Sequence, residues 1–122
     1  MTNIKNPLPW WLMDFLFKLN QMLLYNITYN IDKNEEQDFL NWMQNIHIQQ
    51  VMKTGFPKAF KILKLLTEID NGGVTYSIQY NFDSKNGFEV FENDYLDDLH
   101  DAVDKRYRGK YVHFASLLEE VN

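Results

Sequence analysis

The sequence contains no cysteine. A disulfide framework, thiolate metal ligands and a cysteine nucleophile are excluded together. The absence suits a reducing compartment, so a cytoplasmic location is expected. Positive charge is also scarce. Twelve Lys and Arg stand against 17 Asp and Glu, which leaves a net charge of −5. A phosphate-binding surface needs the opposite balance, and nucleic acid is not an expected partner. Long apolar runs are missing as well. None approaches the roughly 20 residues that span a bilayer. The opening "MTNIKNPLPWWLMDFLFKLNQM" imitates a signal peptide, but Asp14 interrupts its apolar stretch and no small-residue cleavage site follows.

What remains is rich in core-forming residues. Apolar residues make up 45% of the 122 and aromatics 16%, enough for one folded domain. Residues 1–21 stand apart as an N-terminal apolar extension. There Leu12, Phe15, Leu16 and Leu19 follow helical spacing behind Pro7 and Pro9. From Met22 the pattern sharpens, and residues 22–122 read as the domain proper. Leu23, Tyr25, Ile27, Tyr29 and Ile31 alternate with Leu24, Asn26, Thr28 and Asn30, which predicts a half-buried strand. The sequon Asn26-Ile27-Thr28 falls inside that strand and is read as chance.

Asp32 and Glu35 have capping-box spacing and predict the start of a helix. Its apolar stripe is Phe39, Leu40, Trp42, Met43, Ile46 and Val51, and it stops before Gly55 and Pro57. The next segment, "PKAFKILKLLTEID", has helical propensity and lysines every third residue. However, Asn71-Gly72 is a hairpin signal, and Val74, Tyr76, Ile78, Tyr80 and Phe82 alternate after it. A hairpin needs strands on both sides, so 58–68 is read as a strand whose lysines protect a sheet edge. Ser84 caps a second helix with the stripe Phe88, Phe91, Tyr95, Leu99, Ala102 and Val103, ending at Gly109. Residues 111–119 form the last strand. The order β-α-β-β-α-β predicts an α+β, ferredoxin-like domain: an antiparallel four-stranded sheet, order 4-1-3-2, with two helices on one face.

Four phrases carry a resemblance to a known family: "MLLYNITYNID", "WMQNIHIQQVMKTG", "GGVTYSIQY" and "RYRGKYVHFASLLE". Together they resemble family 4286 of the domains of unknown function, a bacterial family, from Met22 to about Val121. The resemblance implies a dimeric α/β-barrel, ferredoxin-like protein, a homodimer whose two sheets face each other. Two departures stand out. Gln49 occupies a place where the family pattern has proline, and residues 1–21 precede the family's usual beginning, so they are read either as a true extension or as no part of the native product, with Met22 its start.

His47 lies four residues from both Met43 and Val51, on or beside the core stripe. One reading is a packed imidazole bonded to a carbonyl. The other is a pocket residue and candidate acid/base, because related dimeric α/β-barrel enzymes place their sites between helices and sheet. Tyr25, Tyr29, Tyr76 and Tyr80 all point from the central strands toward the helices. Each buried hydroxyl left unbonded would cost about 1–3 kcal/mol, so a sealed network or a polar-lined cavity must satisfy them. With Trp42 these residues are the ligand-pocket candidates, and a small apolar or aromatic molecule is the expected ligand.

The acidic run "FENDYLDDLHDAVD" includes His100 and Asp104 at i, i+4, but a solvated helix face explains it better than a metal site. Arg106, Arg108 and Lys110 offset a helix dipole. No phosphate loop, catalytic triad spacing or metalloprotease motif occurs, and no cofactor or metal is expected. Haem chemistry, known in the wider superfamily, is not expected because the third strand has no tryptophan. The outer sheet face, Asn26, Thr28, Asn30, Thr75, Ser77 and Gln79, offers no stacking ring for RNA. The competing reading is a non-catalytic dimeric module. Residues 1–21 would then serve it as a docking element, with membrane contact the lesser possibility.

Overall fold

The computed structural model describes residues 8–13, 22–67 and 70–121. β1 (Leu23–Asp32) and β3 (Gly73–Phe82) form the antiparallel centre of the sheet, with β2 (Ala59–Lys64) and β4 (Tyr111–Glu119) at its edges. The sheet order is β2-β3-β1-β4, the predicted 4-1-3-2 arrangement. Tyr25 opposes Tyr80 and Tyr29 opposes Tyr76, so the tyrosines of the two central strands lie on one face. Alternation does the sorting: every odd residue of β1 from Leu23 to Ile31 is buried, and every even one from Leu24 to Asn30 is half-buried.

Two helical segments cover that tyrosine face. α1 (33–53) begins with a 3₁₀ turn, Lys33–Glu35, and α2 (85–107) begins at Lys85. The predicted capping box at Asp32 does not form. Asp32 still belongs to the β1 ladder opposite Gly73, and Glu35 instead pairs with Lys110 at 3.0 Å. The Ser84 cap does form, its Oγ accepting the Gly87 N–H at 3.0 Å. Gly55 and Gly109 take φ of +83° and +79° where the helices end, the left-handed conformation that glycine reaches without strain.

Each helix contains a π turn that its sequence pattern conceals. In α1 it spans Met43–His47, with the Ile48 N–H reaching back to the Met43 carbonyl. In α2 it spans Glu92–Leu96. One extra residue per turn delays the inward face by one position. Ile46, predicted inside, is therefore 47% exposed, while His47 is only 3% exposed and Ile48 is fully buried. Tyr95, also predicted inside, is 40% exposed, and Leu96 packs against the core in its stead.

The strand predicted over 58–68 extends only across Ala59–Lys64. Leu65 and Leu66 are adjacent, so a strand could turn only one of them inward; both are exposed. Asn71-Gly72 lies in the β2–β3 connection, where Asp70 and Asn71 side chains accept the Gly72 and Gly73 N–H groups. Residues 68 and 69 lie outside the described residues. Of the N-terminal extension, residues 10–13 are helical, with the Leu12 and Met13 N–H groups on the Pro9 carbonyl. Its remaining apolar positions, Phe15, Leu16 and Leu19, lie outside the described residues. Among the described residues no helix is long and apolar enough to cross a membrane.

The outer sheet face is polar at its centre. Asn26 bonds Thr28 and Ser77, and Asn30 bonds Thr75. Edge strand β4 adds what the central strands alone did not reveal. Phe114 pairs with Thr28 and so lies on this face, and it is exposed together with Val112 and Leu118. The face thus has one exposed aromatic ring where none was expected.

Candidate functional site

Where α1 and α2 meet the sheet there is a small void of about 10 Å³, room for one water molecule. Tyr25, Tyr29, Tyr80, His47 and His100 line its polar side, while Leu96, Leu99 and Phe91 close the other. Both π turns reach it, one through His47 and the other through Leu96. Ile46 is turned out and Ile48 in, so the apolar burial is kept while an imidazole is also seated in the core. π turns recur at functional sites, where a backbone irregularity aims a particular side chain.

His47 Nδ1 is buried without a protein hydrogen-bond partner, the one such side-chain atom among the described residues. Burial, with a smaller contribution from His100, holds its pKa down at about 4. The ring is therefore neutral near pH 7 and presents an acceptor nitrogen. Trp42 stacks on this ring at 4.8 Å and 20° between planes, fixing its orientation. Arg106 covers the same indole at 5.4 Å and also forks onto Asp38 at 3.1 and 3.2 Å. Tyr107 donates to Asp38 at 2.8 Å, so the far side of Trp42 is tied across both helices.

The hydroxyls of the void are all held neutral. Burial and Glu92 push Tyr25 up to about 12. Burial, reinforced by neighbouring tyrosines, raises Tyr29 and Tyr80. Tyr25 Oη and His100 Nε2 are hydrogen-bonded at 3.2 Å. Burial, then His113, lowers the His100 pKa against the opposing pull of Asp97 and Asp101. His113, on β4 opposite Tyr29, stacks on His100 at 5.4 Å and is exposed. All three histidines of the chain therefore form a row from the void to the surface.

Of the residues expected at a pocket, Tyr25, Tyr29, Tyr80 and His47 come together. Trp42 supports His47 from outside the void. Tyr76 is turned to the rim, where its hydroxyl donates to Glu36 at 2.7 Å. His100 and His113 were missed as partners. The signal for His113 was its place in the last strand, which alternation puts on the Tyr111 face; for His100 it was i+4 spacing from Leu96. Among the described residues no cluster of three or more His, Asp or Glu could hold a metal.

A roomier cleft of about 290 Å³ lies next to the void, floored by Leu23, Phe88 and Leu117 and rimmed by Glu89, Glu92 and Glu119. The partition is two rings thick. Tyr25 lines the void and Phe88 the cleft, with their ring centres 5.2 Å apart.

Similar architectures occur among solved structures. A conserved protein of unknown function from Bacteroides thetaiotaomicron, described as a possible oxidoreductase, matches with a TM-score of 0.60 at 10% identity. The match covers 83% of this chain and 99% of that one. A dimeric ferredoxin-like protein from an uncultured marine organism matches with a TM-score of 0.58 at 10% identity, over 84% and 97% of the two chains. An ethyl tert-butyl ether d (EthD) family protein from Bacillus halodurans matches with a TM-score of 0.60 at 12% identity, over 81% and 99% of the two chains. At these identities the likeness establishes the fold, a ferredoxin-like α+β sheet and helix sandwich. No curated protein sequence matches the chain. The model of one sequence family, the domain of unknown function DUF4286, matches residues 22–121, and the chain belongs to that family.

Proposed function

We propose that this protein binds a small apolar or aromatic compound between helices and sheet and acts on it without a cofactor, His47 serving as acid/base. The observation that carries the reading is the unpartnered Nδ1 of a 3% exposed histidine at a tyrosine-lined void. A buried acceptor without a partner is a standing penalty of about 1–3 kcal/mol unless something polar meets it. The 10 Å³ void admits one polar atom, whereas the adjoining 290 Å³ cleft is near the lower size of ligand sites. A ring would lie on Leu23, Phe88 and Leu117 with its polar substituent reaching past Tyr25 to His47. The neutral imidazole would take a proton as negative charge develops, and the tyrosine hydroxyls would hold the resulting anion.

A homodimer accompanies this reading. Structural neighbours are described as dimeric ferredoxin-like proteins, and Val112, Phe114 and Leu118 offer an apolar margin on the outer face. The same patch favours the second reading, a non-catalytic dimeric module. A cytoplasmic setting suits the cysteine-free composition.

The test is a titration of the full chain with phenol and with indole, followed through the His47 and His100 ring signals by NMR. Saturable shifts at both rings that vanish in His47→Ala are expected. Binding unchanged in His47→Ala, with only the melting temperature lowered, would remove His47 from any pocket role.

A further inference from the structure

A buried acid/base that turns over must exchange its proton with solvent, and the surroundings of His47 suggest how. Its Nδ1 has no protein partner. The void it borders has the volume of one water molecule and is also bordered by Tyr25 and His100. Tyr25 Oη and His100 Nε2 are already bonded at 3.2 Å. Half-buried His100 stacks at 5.4 Å on His113, which is exposed. Other groups at the void either do not titrate, like Phe91, Leu96 and Leu99, or are tyrosines with no link to the surface among the described hydrogen bonds.

We propose that one ordered water in this void joins His47 to Tyr25, and that Tyr25 and His100 relay protons between the buried imidazole and solvent at the His113 side. This deepens the acid–base reading above by naming the route by which His47 is recharged. The transfer balances without a co-reactant. His100 Nε2–H passes its proton to the Tyr25 oxygen while the Tyr25 hydroxyl proton moves to the water. The water releases a proton to His47 Nδ1, and His100 regains one from solvent at Nδ1. Each O–H or N–H bond broken is matched by one formed, and one proton moves inward. Running in reverse, the chain discharges His47. Tyr25 is a positioning and relay residue; its ring keeps the partition between void and cleft, and its hydroxyl carries the proton.

The experiment measures solvent exchange of the proton that His47 takes up at Nδ1, by ¹⁵N-edited NMR near its pKa of about 4, in the full chain, wild type, Tyr25→Phe and His100→Gln. Backbone amides of Ile31 and Phe39, both fully buried, report opening of the core in the same samples. The relay predicts ring exchange much faster than those amides in the wild type. It predicts slowing of about tenfold or more in each variant after correction for amide exchange. A water–His47 cross-relaxation signal is expected in the wild type. Ring exchange that matches the amides in the wild type, or that is unchanged in Tyr25→Phe, would overturn the relay. The outcomes separate from those of the functional reading. Intact exchange with no phenol or indole binding rejects the ligand site and leaves the relay, and the converse rejects the relay alone.

Discussion

The two helices share one irregularity and use it in opposite ways. α2 widens at Glu92–Leu96 and trades Tyr95 for Leu96 at the core, an apolar residue for an apolar residue. α1 widens at Met43–His47, turns Ile46 out and Ile48 in, and holds a polar residue, His47, buried beside it. The first trade is neutral by hydrophobic reckoning. The second exchanges one isoleucine for another but leaves an imidazole nitrogen in the core without a protein partner, a loss that stability alone does not explain. The difference singles out His47 of α1, which shares the void with His100 of α2.

That contrast can be broken in several ways, beginning with the largest effect. His47 is held at a pKa of about 4 when folded and would titrate near 6.5 unfolded. Above pH 6.5 both states are neutral and the group contributes no slope. Between 6.5 and 4 the unfolded state binds more protons, so stability falls as pH falls. In urea unfolding, the stability gap between wild type and His47→Ile should widen by on the order of 3 kcal/mol from pH 7 to pH 4. A gap constant with pH would mean that His47 is not buried neutral. The comparison of wild type with Leu96→Ala should show no such widening, because no titratable group is changed.

Next, Leu96→His copies the buried imidazole of α1 onto α2. It should lose about 2 kcal/mol at pH 7, because an imidazole is desolvated there without a prepared site. Its mirror image, His47→Ile, should gain about 1–2 kcal/mol at pH 7 and lose phenol and indole binding. A destabilised His47→Ile would make the histidine a structural element and erase the distinction between the helices. The smallest effect belongs to Ile46→Gln, which should stay within about 0.5 kcal/mol by thermal or urea unfolding, as surface changes do. A loss of 2 kcal/mol would place residue 46 inside and refute the π turn.

Much of the fold was legible because β1 and β3 alternate strictly, and period two has one interpretation when a face is buried. Ser84, Gly55 and Gly109 marked helix ends through local chemistry that tertiary structure did not override. The site was harder to see. A stripe counted at 3.6 residues per turn puts Ile46 and Tyr95 inside, and only the wider π turns send both out and bring Ile48 and Leu96 in. Capping-box spacing at Asp32 failed because that residue was already committed to a strand. His100 and His113 meet through the pairing of Tyr29 with His113 and the placement of α2 over β4, a long-range register that neither segment encodes alone. Four of the expected pocket residues converge because they share one sheet face and one helix. Trp42 and Tyr76 share those elements too but point elsewhere, a matter of rotamer and position along the sheet that spacing does not specify.

The central claim is that a widened turn in α1 holds a neutral imidazole in the protein interior. An NMR pH titration of the three histidine rings tests it most directly. A His47 midpoint near pH 4 is the predicted result. A midpoint near 6.5, the value of a solvated imidazole, would contradict it.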